Sequence, residues 1–199
     1  MRSAIASLAL LALLGCGGGG GGSTLGAQFT QSSTPAAPRL IKLVQKSKSN
    51  ARVVVQAVIY GPDASLDMYS FAFDVKIADP TVVKFVAGSA VAGNALTVSG
   101  GQTLQAFAGL GTLPGGGTDN SRVVVGVSKL GGGVGNGIAG SSAAIVSLAF
   151  EVQKQGTTTL TLGGSPNPVV LDHNGAAIGS ITYDSASASM KGVVTGGGY

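Results

Sequence analysis

Tryptophan is absent from this chain, cysteine and histidine occur once each, and only 10% of the 199 residues carry charge. Each scarcity removes a class of function. A lone Cys16 can close no intrachain disulfide and build no CxxC metal site. One histidine, His173, cannot supply the three or four nitrogen, sulfur or carboxylate ligands that zinc requires. Nor does any G-x-S-x-G elbow offer a nucleophile that His173 could serve with Asp172 or Asp184. No carboxylate pair stands out either, so no catalytic residue is assigned and the chain reads as a non-enzyme. Asp172 and Asn174 are oxygen ligands of the kind calcium takes, but two are too few where about six are needed. No metal or other cofactor is expected, and Asp172-His173-Asn174-Gly175 reads as a tight turn.

Flat sugar-binding faces present rows of exposed Trp or Tyr. Here the tyrosines are Tyr60, Tyr69, Tyr183 and Tyr199. Strand register puts Tyr69 in the core, which leaves Tyr60 and Tyr183 as the candidates for polysaccharide contact. The formal charge is +4, and without Arg2 the remaining 11 basic and 8 acidic residues leave +3. That is too mild to argue for nucleic acid. Lys42, Lys46, Lys48 and Arg52 cluster before any acid. They read as a solvated strand edge that discourages aggregation, the other reading being contact with an anionic membrane or acidic polymer.

Long apolar runs are also missing. The one candidate, Ala4–Leu14, is interrupted only by Ser7 and falls short of the roughly 18–20 residues a bilayer span needs. Behind the basic Arg2 it has the form of a signal peptide, residues 1–15. Residues 17–38 lack charge and periodicity and start with six glycines, so 16–38 reads as a flexible tether, reaching on the order of 25 Å. Residues 194–199 read as a frayed tail.

What the chain does have is glycine, 34 residues of it, and 44% hydrophobic residues. Between the glycines run short stretches of period two. In Tyr69–Ile77, Tyr69, Phe71, Phe73, Val75 and Ile77 share one side, the pattern of a half-buried strand. At roughly 1.5–3 kcal/mol per large buried side chain, that side contributes on the order of 10 kcal/mol gross. Arg52–Tyr60 alternates through Val53, Val55, Ala57 and Ile59, Arg122–Leu130 through Val123, Val125 and Val127. Ala144–Val152 alternates through Ala144, Val146, Leu148, Phe150 and Val152. Shorter runs at Leu96–Val98, Leu104–Phe107, Thr157–Leu162, Pro168–Asp172 and Ile178–Tyr183 bring the total to about nine strands. With no helical pattern, this predicts an all-β two-sheet sandwich of jelly-roll type over residues 39–193. Gly135–Gly140 matches G-x-G-x-x-G, but the segment after it alternates like a strand, so it reads as a loop.

Two resemblances add to this. Leu13-Leu14-Gly15-Cys16 resembles the lipobox of bacterial lipoproteins. It implies a diacylglyceryl group on Cys16, an N-acyl chain such as palmitate, and a membrane anchor. Gly17, in the place where Asp marks inner-membrane retention, implies the outer membrane in a Gram-negative host. Separately, Tyr69-Ser-Phe-Ala-Phe-Asp-Val-Lys-Ile-Ala-Asp-Pro80, the late strand Ala144–Val152 and the Thr157–Leu162 strand with its Asp172–Gly175 turn resemble a cohesin-type domain. This resemblance, related also to carbohydrate-binding modules, implies a module that binds a dockerin-like or other envelope protein. The small outward positions Ser70, Ala72, Ser147 and Ala149 would give it a flat face. Polysaccharide binding, or a structural part in an envelope assembly, are the alternatives.

Overall fold

The computed structural model describes residues 23–163 and 168–195, which form fifteen strands and no helix. In chain order they begin with β1 (Thr24–Thr30), β2 (Leu40–Ser49), β3 (Arg52–Tyr60), β4 (Asp63–Met68) and β5 (Ser70–Ile77). Next come β6 (Val83–Phe85), β7 (Val91–Ala92), β8 (Thr103–Thr112), β9 (Thr118–Leu130) and β10 (Asn136–Ile138). The last are β11 (Ser142–Val152), β12 (Gly156–Gly163), β13 (Val169–Leu171), β14 (Thr182–Tyr183) and β15 (Ala188–Thr195). Five of the fifteen are only two or three residues long; the number exceeds the nine expected chiefly through β1, β4, β7, β10 and β15. Leu96–Val98 is a bend, not a strand, with Leu96 buried.

One sheet runs β1-β15-β12-β5-β9-β8, with β13 also on β5; the second runs β14-β2-β3-β11-β6, with β7 on β11; β10 and β4 pair in a separate two-stranded sheet. Among the described residues only β14 and β2 pair in parallel. The core lies between the sheets. From β5 it takes Phe71, Phe73, Val75 and Ile77, each at most 2% exposed. In the neighbouring β9, Val127, Val125 and Val123 sit opposite Phe71, Phe73 and Val75. The other sheet answers with Val53, Val55, Ala57 and Ile59 and with Phe150, whose ring meets Phe85 edge-on at 5.9 Å. Alternation thus predicts β3, β5 and β9 correctly, because each has one face turned to a second sheet.

Four expectations change. Tyr69 is half-buried, and Met68 beside it is the core residue. The chain passes from β4 to β5 at Tyr69, so Met68 follows the register of Leu66 and not that of Phe71. In β11 the pairing slips between Ala144 and Val146, which buries Ile145 and leaves Ala144 half-buried. A bulge of this kind switches the faces on either side of it.

Third, Ser147 and Ala149 do not lie on an open face. Ser147 is covered by Gln56 and Lys46, which donate to its Oγ at 3.2 and 3.3 Å. Ala149 is buried where the chain on both sides of Ser89 runs along β11, with bonds at its N and O. Fourth, Thr24–Thr30 is not tether. It pairs residue for residue with β15, from Thr24 opposite Thr195 to Thr30 opposite Ser189. The reason is visible in its own alternation, since Leu25, Ala27 and Phe29 turn to the core and Ala27 is 2% exposed. The same pairing orders Val194 and Thr195, which were expected to fray.

A candidate interaction face on the outer side of one sheet

The outer face of β8, β9 and β5 is built by the side chains that alternation sends away from the core. In one row across the strands stand Gln105, Ser128 and Ser70; in the next stand Phe107, Gly126 and Ala72; in the third, Gly109, Val124 and Asp74. Phe107 is 61% exposed. Its ring leans over Gly109, where an added Cβ would stand 2.8 Å from Cζ. Gly126, by contrast, has open space where a side chain would be. The result is a shallow trough with an aromatic wall, a floor of glycine and alanine, and a polar rim of Ser70, Gln105 and Ser128. Val124, 36% exposed, continues it.

Below this trough lies an ionic group. Arg122 reaches Asp74 at 3.6 Å and Asp119 at 3.7 Å. Both distances are too long for hydrogen bonds. Buried Asp74 Oδ2 and Arg122 Nε are without a hydrogen-bond partner among the described residues. Buried polar atoms are seldom left unpaired, because the lost hydration is not recovered. Asp119, whose carboxyl is held below the usual range first by the Ser121 hydroxyl, then by the Ser121 N–H, completes the group.

Of the residues singled out from sequence, Ser70 and Ala72 fall on this face, half-buried and exposed respectively. Cys16 lies outside the described residues. Tyr60 is half-buried at the end of β3, next to Pro38 and Ser141. Tyr183 packs its ring against Phe73 at 5.9 Å, and burial pushes its phenol well up. The two tyrosines therefore do not make a sugar platform: Tyr183 follows the core because β14 closes the sheet beside β2. Asp172 spends its carboxylate on its own turn, accepting from the N–H groups of Asn174 and Ala176 at 2.9 and 2.8 Å. Asn174 is exposed. No three His, Cys or carboxylate side chains converge among the described residues. His173 is in the expected turn, and its Nδ1 contacts Asp67. That contact holds the Asp67 carboxyl below the usual range, while burial pushes nearby Lys129 down. Gly135, the first glycine of G-x-G-x-x-G, donates its N–H to Asp67, and strand β11 follows the motif where a nucleotide site needs a helix.

The molecule so described is an all-β, two-sheet sandwich of jelly-roll type with one exposed aromatic-walled face. The chain matches no protein-family model and no curated protein. Among solved structures it is similar to a type II cohesin domain from the cellulosome of Acetivibrio cellulolyticus, with 16% identity, 80% of this chain and 94% of that one covered, and a TM-score of 0.46. It is similar also to the sixth cohesin of scaffoldin B from that organism, crystallised in complex with a Cel5 dockerin mutant, at 13% identity, 83% and 95% coverage and a TM-score of 0.42. Against the type II cohesin dyad of the adaptor ScaA scaffoldin of the same organism, identity is 15% and the TM-score 0.46. There 76% of this chain is covered, and it spans 48% of the dyad's length.

Proposed function

We propose that this is a lipid-anchored protein of the cell envelope whose sandwich is a non-catalytic module that binds another protein on the outer face of β8, β9 and β5. The observation that carries the reading is Phe107, exposed beside a floor of Gly126 and Ala72. Aromatic anchors entering or flanking shallow pockets dominate the energetics of protein interfaces. The cohesin resemblance names the first probe, a dockerin-type domain. Anchoring rests on Leu13-Leu14-Gly15-Cys16, and Gly17 favours the outer membrane if the host has one.

The test is to immobilise the full chain and present a panel of dockerin domains, an envelope extract and a glycan panel. A protein should be retained, and Phe107→Asp should weaken retention by at least about tenfold, the loss of one interface anchor. Val98→Asp, at an exposed apolar position off this face, should leave it unchanged. Retention indifferent to Phe107→Asp would sink the assignment of the face. Glycan binding lost on Tyr60→Ala would replace the protein partner with a polysaccharide.

A further inference from the structure

The charges of the sandwich are sorted by end. Antiparallel pairing brings the start of β1, the end of β15, the start of β12, the end of β5 and the β8–β9 turn to one end. The β2–β3 turn joins them, because Ala27 N–H donates to Asn50 O at 2.8 Å. Toward this end lie Lys46, Lys48, Arg52, Lys84, Lys154 and Lys191, all exposed. The acids among them are exposed Glu151 and half-buried Asp79; nearby, Lys76 and Arg122 are balanced by Asp74 and Asp119. Six bases against two acids leave this end at +4. The opposite end holds Arg39, Lys42 and Lys129 against Asp63, Asp67, Asp172 and Asp184, a charge of −1 with His173 neutral.

The basic end is also where the chain enters. Seven residues lie between Cys16 and Thr24, the first residue of β1, so eight Cα–Cα steps join them. Glycine-rich chain of that length spans roughly 15 Å on average and about 27 Å at full stretch. An anchor at Cys16 would thus hold the basic end within roughly two to three Debye lengths of a bilayer at physiological salt, about 8 Å each. From these two observations we infer that the end formed by the β2–β3 turn, Lys154 and Lys191 is a docking surface for anionic lipid headgroups, which stands the sandwich upright on its membrane. Proximity rests on the anchor proposed above; the charge separation does not.

The full chain carrying Cys16→Ala, which has no acyl group, is titrated with vesicles of phosphatidylcholine alone and with roughly one-third phosphatidylglycerol. The ratio of the two affinities reads the charge effect apart from any apolar insertion. It should favour the anionic vesicles and vanish at about 1 M salt, where the Debye length is about 3 Å. A basic residue at an anionic surface is worth roughly a factor of five, so the triple variant Lys48→Gln, Lys154→Gln, Lys191→Gln should lower the ratio on the order of 100-fold. A control triple, Thr103→Glu, Val134→Glu and Asn174→Glu, changes net charge equally at exposed positions of the other end and should have little effect. Equal loss in both triples would mean net charge alone acts, and would overturn the docking surface. So would an absent vesicle preference, or heparin bound tightly while anionic vesicles are not. Fatty-acid labelling of the unaltered chain is read separately: its absence, with the preference intact, would remove the anchor and leave this surface standing.

Discussion

Lys42 illustrates how far a residue's surroundings can depart from its neighbours in sequence. It belongs to the basic cluster expected at a solvated edge, yet it is 4% exposed. Its ammonium donates to the carbonyl of Thr34 and lies 4.0 Å from Asp184. Burial alone would push the Asp184 carboxyl up, but donors from Ser32, Thr34 and the Ala186 N–H, with the Lys42 charge, outweigh it and hold it below 3.8. A depressed carboxyl contributes stability that is present above its unfolded value and lost as pH falls through the folded one. Urea unfolding should therefore show stability declining below about pH 4, with a shallower decline in Asp184→Asn. Asp184→Ala should cost about 3 kcal/mol or more at neutral pH, since it strands a buried ammonium. The core makes a plainer case. Phe73, 2% exposed and packed against the tilted ring of Tyr183, should cost roughly 3–5 kcal/mol on change to Ala. A loss under about 1 kcal/mol would contradict its burial.

At the scale of elements, what the sequence made legible were the strands with bulky residues on one side. β3, β5 and β9 keep every second residue in the core because a second sheet covers that surface, though Val58 and Asp74 are buried on the other one. The others fail for identifiable reasons. β11 is buried on both faces and bulged, so its Ser147 and Ala149 carry no outward signal. β1 is hidden because its apolar residues are a Leu, an Ala and a Phe in a run of Thr, Gly and Gln directly after six glycines. This has a consequence for where the domain starts. A chain beginning at Arg39 lacks β1, leaves β15 as an open sheet edge and removes Ser32 and Thr34 from Asp184. Compared with a chain beginning at Ser23, it should unfold at lower urea and self-associate through the bared strand, measured by equilibrium unfolding and gel filtration. Equal midpoints and a clean monomer would show that β1 is dispensable, as a tether would be.

At the scale of the whole molecule, the proposed interaction face and the chain entry occupy different sides. The trough runs across the middle of β8, β9 and β5, while Thr24 and Thr195 meet at one end of the sheet. Half of that trough was readable, since the parity of β5 sends Ser70 and Ala72 outward. Phe107 was not, because the glycines and alanines around it in β8 mask the alternation that exposes it. Separate sides predict separable losses. Cys16→Ala should abolish fatty-acid labelling and leave uncleaved precursor or misplaced protein, while retention of its partner in solution stays within about twofold. Phe107→Asp should do the reverse, keeping the label and the membrane and losing the partner. If labelling persists in Cys16→Ala, the anchor is elsewhere; if Cys16→Ala also loses the partner in solution, the face depends on the bilayer. The expected pair of opposite outcomes follows because the proposed partner face on β5, β8 and β9 and the proposed anchor at Cys16 share no side chain.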